Sequence, residues 1–236
     1  MVGKLQKGNL RVGSGVKSIN LMKEFVINSR VGEGRKVSAF SQDKIKIEPM
    51  LWQCDREHAE KFGGEITKLF LDSLPDRWKS SEIRVDSRVH MLMPGFYPCI
   101  PGFHHDDVPR EREDGQPNYT NPSYKAEHVM AIFGDASITE FAIGESNFPD
   151  VPLGEKYYRV WNKLVEEKLK SKELDLFKIP PNHLIFFDWN SWHRGVAAHK
   201  NGWRFFIRAT KNSLEKPKNE KRTQVQVYMD ELTMGW

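Results

Sequence analysis

The period of the apolar positions changes along the chain, and the changes mark the elements. Between residues 55 and 74, Ala59, Phe62, Ile66, Leu69, Phe70 and Leu74 recur at helical spacing, with Asp55 placed to cap the N-terminus. Gly63 and Gly64 in its middle weaken the helical pattern. Residues 83–93 alternate through Ile83, Val85, Val89, Met91 and Met93, which predicts a strand, and Gly95, Pro98, Pro101 and Gly102 then break the chain. Two β-like runs, 127–133 and 136–143, are joined by Gly134 and Asp135 in a hairpin-like turn. Residues 154–170 carry Tyr157, Tyr158, Trp161, Leu164, Val165 and Leu169 on one helical face. Strands are again expected at 183–187, 193–198, 203–210 and 223–229. The pattern is α+β and mainly β: an antiparallel sandwich or barrel with helices outside. Residues 1–48 read as an irregular arm with one or two strands, 83–210 as the core and 211–236 as a C-terminal extension, all in one domain over 1–236.

Composition narrows the class. At 236 residues the chain is long enough for one substantial core. No run approaches the length of a membrane helix, and the polar, Gly-rich start lacks the apolar centre of a signal peptide, so an intracellular, cytoplasmic protein is expected. Two cysteines, Cys54 and Cys99, are too few for a disulfide framework or a Cys-rich zinc site and fit a reducing compartment. The net charge of +4 gathers at the ends, in Lys4, Lys7, Arg11, Lys17 and Lys23 and again in Lys211, Lys216, Lys218, Lys221 and Arg222. Nucleic acid is one partner such ends allow; solvated termini are the plainer reading.

The candidate chemistry lies in Phe103-His104-His105-Asp106-Asp107. Side chains two apart on a strand leave the same face, so either His104 with Asp106 or His105 with Asp107 presents an imidazole and a carboxylate together. His193, in Trp192-His193-Arg194-Gly195, is the best third ligand. Two histidines and one carboxylate on one face of iron(II) leave the other face open to reactants.

Gly202-Trp203-Arg204 follows His193 by a spacing of eleven residues to the arginine. With the upstream His-x-Asp, and with residues 181–188 as the strand leading to the distal histidine, the stretch 83–210 resembles the iron(II)/2-oxoglutarate dioxygenase superfamily, particularly phytanoyl-CoA hydroxylase-like members. The resemblance implies a double-stranded β-helix (jelly-roll, cupin-like). It also implies iron held by His104, Asp106 and His193, with an aromatic such as Phe103 ahead of the first ligand. Arg204 would grip the distal carboxylate of 2-oxoglutarate, with Arg208, four residues on and on the same strand face, as the alternative anchor. The implied reaction hydroxylates a substrate C–H bond with dioxygen while 2-oxoglutarate becomes succinate and carbon dioxide, and the resemblance allows ascorbate as an accessory reductant. The doubled His-His-Asp-Asp departs from the family pattern and leaves the His105/Asp107 register open.

The remaining expectations concern the surroundings. The polar loop 107–126 is placed to act as a lid, with Arg110, Arg112, Tyr119 and Tyr124 able to read an anionic or aromatic substrate. Trp189 and Trp192 flank the approach to His193 and either line the pocket or pack. His128 and His183 are expected as satisfied sheet residues, His199 as exposed, and His90 as a candidate for the pocket side of its strand. A small-molecule hydroxylase, an oxygenase of nucleobases or nucleic acid, and a non-catalytic cupin-like binding protein are the competing functions; a zinc hydrolase would leave Arg204 unexplained.

Overall fold

The computed structural model describes residues 23–120 and 124–229. Eleven short strands and five helices are present among them. Strands β1 (Glu24–Ser29) and β2 (Val31–Lys36) come first, then helix α1 (Gln42–Ile47) and β3 (Leu51–Trp52). Helices α2 (Arg56–Phe62), α3 (Glu65–Ser73) and α4 (Asp76–Lys79) lead into β4 (Ile83–Leu92). After the loop come β5 (Glu127–Phe133), β6 (Thr139–Pro149), α5 (Tyr157–Lys170), β7 (Asp175–Lys178), β8 (His183–Asp188), β9 (Trp192–Gly195), β10 (Gly202–Lys211) and β11 (Glu220–Lys221).

The larger antiparallel sheet runs β2-β8-β5-β10-β4, and the smaller holds β1, β6, β7 and β9. His104 adds to the smaller sheet through an antiparallel bridge to His193. From β4 onward the chain therefore passes back and forth between the sheets: β4 in the larger, His104 in the smaller, β5 back, β6 and β7 across, β8 back, β9 across and β10 back. This winding is the double-stranded β-helix expected from the resemblance. Gly134 and Asp135 do not close a hairpin, because β5 pairs with β8 and β10 while β6 pairs with β1, β7 and β9. Their turn carries the chain from one sheet to the other. At Gly134 φ is +86° and a Cβ would lie 2.3 Å from the Trp203 carbonyl oxygen, so the turn needs glycine.

Strand alternation sorts the core into layers. Val129, Ala131 and Phe133 of β5 and Phe205, Ile207 and Ala209 of β10 face outward onto Ile45, Ala59, Ile66, Phe70 and Trp78 of helices α1 to α4. Met130, Ile132, Ile185 and Phe187 face inward and meet Phe141 of the smaller sheet. The far side of the smaller sheet is closed by Tyr157, Tyr158, Trp161 and Val165 of α5 against Phe103, Phe148 and Trp192.

Three sequence expectations change. The helix foreseen over 55–74 begins at the Asp55 cap, whose carboxylate accepts from His58 N, but it breaks into α2 and α3 at the glycine pair. The break is held by buried Glu48, which accepts from Gly64 N (3.0 Å), Ile66 N (3.1 Å), Thr67 N (2.9 Å) and Thr67 Oγ1 (2.7 Å). The segment 23–36, expected within an irregular arm with one or two strands, does hold two strands, but they are built into the body of the fold, one in each sheet; residues 1–22 lie outside the described residues. Residues 223–229 form only a bridge between Tyr228 and Tyr97, not a strand.

Two stability predictions follow from buried polar groups. Glu48→Ala strands three backbone N–H groups and a hydroxyl, and should lower the unfolding free energy by about 3 kcal/mol in urea titrations. An unchanged midpoint would show that the carboxylate does not hold the helix junction. His90 on β4 is 1% exposed, and burial, reinforced by Arg204 and Arg88, pushes its pKa down to about 3. Its protonation therefore favours the unfolded chain: stability is complete above roughly pH 6.5 and falls by up to about 1.4 kcal/mol per pH unit below it. Urea midpoints at neutral and mildly acidic pH should converge in His90→Asn relative to the parent; identical slopes would reject the assignment.

Candidate metal centre

Antiparallel pairing sets the site. His104 N donates to His193 O at 3.0 Å and His193 N to His104 O at 3.2 Å, so the two residues oppose each other and their side chains leave one face of the smaller sheet. Their ring centroids lie 4.6 Å apart. Asp106, two residues beyond His104, returns to the same face. One ligand atom from each of His104, Asp106 and His193 lies within 4.8 Å of the others.

The doubled sequence resolves into different roles. His105 points the other way: its ring lies 3.7 Å from that of Trp192, and Nδ1 is 2.8 Å from the Tyr119 hydroxyl. The Tyr119 hydroxyl in turn donates to Tyr158. Asp107 does not continue the alternation, because its φ of +59° ends the extended run. Its carboxylate turns back to accept from Arg208 Nη2 at 2.9 Å, so it stands behind Asp106 rather than off the opposite face.

Hydrogen bonds to carbonyls define how the two histidines present themselves. His104 Nδ1 is 2.9 Å from Gly102 O, and His193 Nδ1 is 2.9 Å from Ser191 O. A carbonyl only accepts, so both Nδ1 atoms carry hydrogen and, in the neutral rings, both Nε2 atoms offer a lone pair. Burial, then the neighbouring His193, pushes the His104 pKa down to about 4, which keeps that ring neutral. His193 Nε2 lies 3.1 Å from Asp106 Oδ2, and His104 Nε2 lies 4.0 Å from Asp106 Oδ1. Three electron pairs thus converge on one small volume, an arrangement that repels itself unless a cation sits among them. The donor set fits a divalent first-row metal.

Arg204 and Arg208 both face the inside of the sandwich, opposite His90 and Asp86 of β4 respectively. Their circumstances differ. Arg208 is paired with Asp106, with Asp107 at 2.9 Å and with Asp86 at 4.0 Å. Burial opposes its charge, but these three carboxylates outweigh burial and raise its pKa. Burial alone would raise the Asp106 carboxyl, yet Arg208 and then His193 hold it well below the usual carboxylate range. Arg204, 3% exposed, is in no ion pair among the described residues; its Nε donates to Ser137 O at 3.0 Å. Burial lowers its pKa to about 10. A cavity of about 280 Å³ is lined by His104, Asp106, His193, Arg204, Arg208 and Phe206, among others.

The surroundings depart from several expectations. Of the four loop residues offered as substrate contacts, Arg110 lines the hollow outside the centre. Arg112 is turned to Asp150, Asp114 and the Tyr157 hydroxyl. Tyr119 and Tyr124 are packed against Trp189, and Trp192 lies beneath His105 in the outer core. The tryptophans therefore pack. His128 is buried with Nδ1 2.9 Å from Thr210 Oγ1, His183 Nδ1 donates to Pro181 O, and His199 is exposed. His90 lies beside Arg204 but is not among the cavity-lining residues. Sequence reading passed over Asp86 and Arg88. The alternation of β4 was the available signal, because it sets Arg84, Asp86, Arg88 and His90 on the face opposite Ile83, Val85 and Val89.

No protein-family model matches the chain, and no curated protein matches it. Among solved structures, the chain is similar to HygX from Streptomyces hygroscopicus with iron bound, over 83% of this chain and 85% of that one, at 8% identity and a TM-score of 0.35. A likeness at that level carries no argument about chemistry, so the functional reading rests on the residues themselves.

Proposed function

We propose that the chain is an iron(II)- and 2-oxoglutarate-dependent dioxygenase that hydroxylates a C–H bond of a small molecule. The observation that carries this reading is the pairing of a two-histidine, one-carboxylate cluster with a buried guanidinium that has no carboxylate partner among the described residues, both on one cavity. A desolvated cation without a counter-charge is costly. A ligand carboxylate would supply the missing partner, and the planar fork suits it.

His104, Asp106 and His193 would hold the iron and leave its remaining face to reactants. Iron when bound supplies the activation of dioxygen, coupled to conversion of 2-oxoglutarate to succinate and carbon dioxide. The chain's own residues orient and exclude. The Gly102 and Ser191 carbonyls fix the imidazoles with Nε2 outward. Arg208 keeps Asp106 ionised and anchored. Arg204 offers its guanidinium to the far carboxylate of the co-substrate. Met130 and Phe206 give the cavity an apolar wall that limits water around the reacting atoms.

Nucleic acid as substrate draws less support. The early cations Lys4, Lys7, Arg11 and Lys17 lie outside the described residues. Of the late ones, Lys211 pairs with Glu127 at 3.2 Å, Lys218 lies over Trp52, Lys221 over Phe62, and Arg222 pairs with Asp86. These four are engaged with the protein rather than ranked along a free face, and Lys216 is exposed.

Two tests address the assignment. His193→Ala and Asp106→Ala should abolish iron-dependent succinate formation while the far-UV circular dichroism stays that of the folded chain, with Asp106→Ala also lowering the unfolding midpoint because Arg208 loses a carboxylate, and Asp107→Ala should retain activity; an inactive Asp107→Ala beside an active Asp106→Ala would transfer the ligand role. A parent chain that binds iron yet never yields succinate would leave a cupin-like binding protein instead. Arg204→Ala should raise the 2-oxoglutarate KM by roughly 100-fold, the size expected when a buried ion pair loses one member. Arg208→Ala should instead raise the iron(II) concentration needed for activity. Equal 2-oxoglutarate KM values in the two variants would remove the basis for choosing Arg204.

A further inference from the structure

A second hollow, of about 990 Å³, opens from the metal centre to the surface and shares Arg88, Cys99, His104 and Asp106 with the inner cavity. Its charged lining is lopsided. The negative groups are Asp106 and Asp107, and both are already engaged by Arg208. The positive groups are Arg88, Arg110, Lys156 and Arg222. Arg222 is taken by Asp86 at 3.3 Å. Arg88, Arg110 and Lys156 are in no ion pair among the described residues.

These three cations come from separate parts of the chain: Arg88 from β4, Arg110 from the loop after the metal centre, and Lys156 from the start of α5. Arg88 is half-buried near the metal centre, whereas Arg110 and Lys156 are exposed. A concave wall of one sign concentrates its field and draws in the opposite charge. Gln116 and Gln224 add neutral hydrogen-bonding groups to the same wall.

We propose that this hollow binds the substrate, and that the substrate is a small molecule carrying phosphate or chemically similar oxyanion groups. Its anionic part reaches Arg110 and Lys156, its middle passes Arg88, and the carbon to be oxidised lies beside His104 and Asp106. The volume suits a ligand the size of a nucleotide or a phosphorylated sugar. A nucleic-acid strand fits less well, because it needs a basic track along the surface, and the cations that would extend one beyond the hollow, Lys218 and Lys221, lie over Trp52 and Phe62. The inference deepens the oxygenase reading, and rests on it for which end of the ligand meets the metal centre.

Binding of inorganic pyrophosphate to the full chain without iron tests the charge recognition apart from the oxidation. Calorimetric titration at low ionic strength should show saturable binding that weakens as salt is added. The double variant Arg110→Ser/Lys156→Ser, altered only at exposed positions, should bind at least about tenfold more weakly, the loss expected for charged hydrogen bonds. Arg204→Met should bind as the parent does, because Arg204 serves the inner cavity. Absence of pyrophosphate binding, or binding unaffected by the double variant, would overturn the proposal, even if succinate formation succeeds. Binding of a single-stranded oligonucleotide without binding of pyrophosphate would overturn it in favour of nucleic acid. Pyrophosphate binding that depends on Arg110 and Lys156, in a chain that never forms succinate, would uphold the anion site and reject the oxygenase chemistry instead.

Discussion

The candidate centre depends on two backbone hydrogen bonds, those by which His104 and His193 exchange N–H and C=O across the smaller sheet. Because side chains alternate along a strand, a slip of one residue would turn an imidazole away from the cavity and bring up His105, Asp107 or Trp192 in its place. The pairing is held on both sides. Below it, Trp192 and Phe103 are fully buried in the cluster that α5 covers. Above it, Arg208 crosses from the larger sheet to Asp106. The register that packs the aromatic outer face is the same register that gathers the lone pairs on the inner face.

Two arginines on one face of one strand illustrate how position decides role. Arg204 and Arg208 are about 13 Å apart along β10 by strand geometry. Arg208 meets Asp86 from β4 and Asp106 and Asp107 from the loop, so its charge is balanced from within. Arg204 meets His90, which burial keeps neutral, and the Ser137 carbonyl. The same side-chain type is thus a structural clamp at one end of the cavity and an unbalanced positive charge at the other. That asymmetry gives the cavity a direction: the guanidinium of Arg204 at one end, His104, Asp106 and His193 in the middle, and the carboxylates braced by Arg208 behind them.

The outer hollow extends this direction to the surface with three more unbalanced cations. Along the route from solvent to the candidate centre, Arg110, Lys156, Arg88 and Arg204 are in no ion pair among the described residues. Under the proposal an anionic ligand entering this way meets these cations first, while Asp106 and Asp107 share the single guanidinium of Arg208, which offsets part of their charge.

Much of the fold was legible in the sequence because it follows from period alone. Alternation located β4, β5 and β10, and helical spacing located α5 to within a few residues. The shared face of His104 and Asp106 and the inward direction of both arginines also follow from side-chain alternation on strands, whereas His193 stands out by its spacing of eleven residues from Arg204. Period is silent about pairing, so the Gly134 turn looked like a hairpin when it joins two sheets, and the one or two strands expected in the N-terminal arm carried no sign of which sheets they join. Sequence likewise could not choose between the two His-x-Asp registers. That choice came from the positive φ at Asp107 and from the pocket that Trp192 and Tyr119 make for His105. Local pattern determines which face a side chain leaves by; only the folded chain decides what stands opposite it, because partners such as Asp86, Arg208 and Lys156 are brought together from segments far apart in sequence.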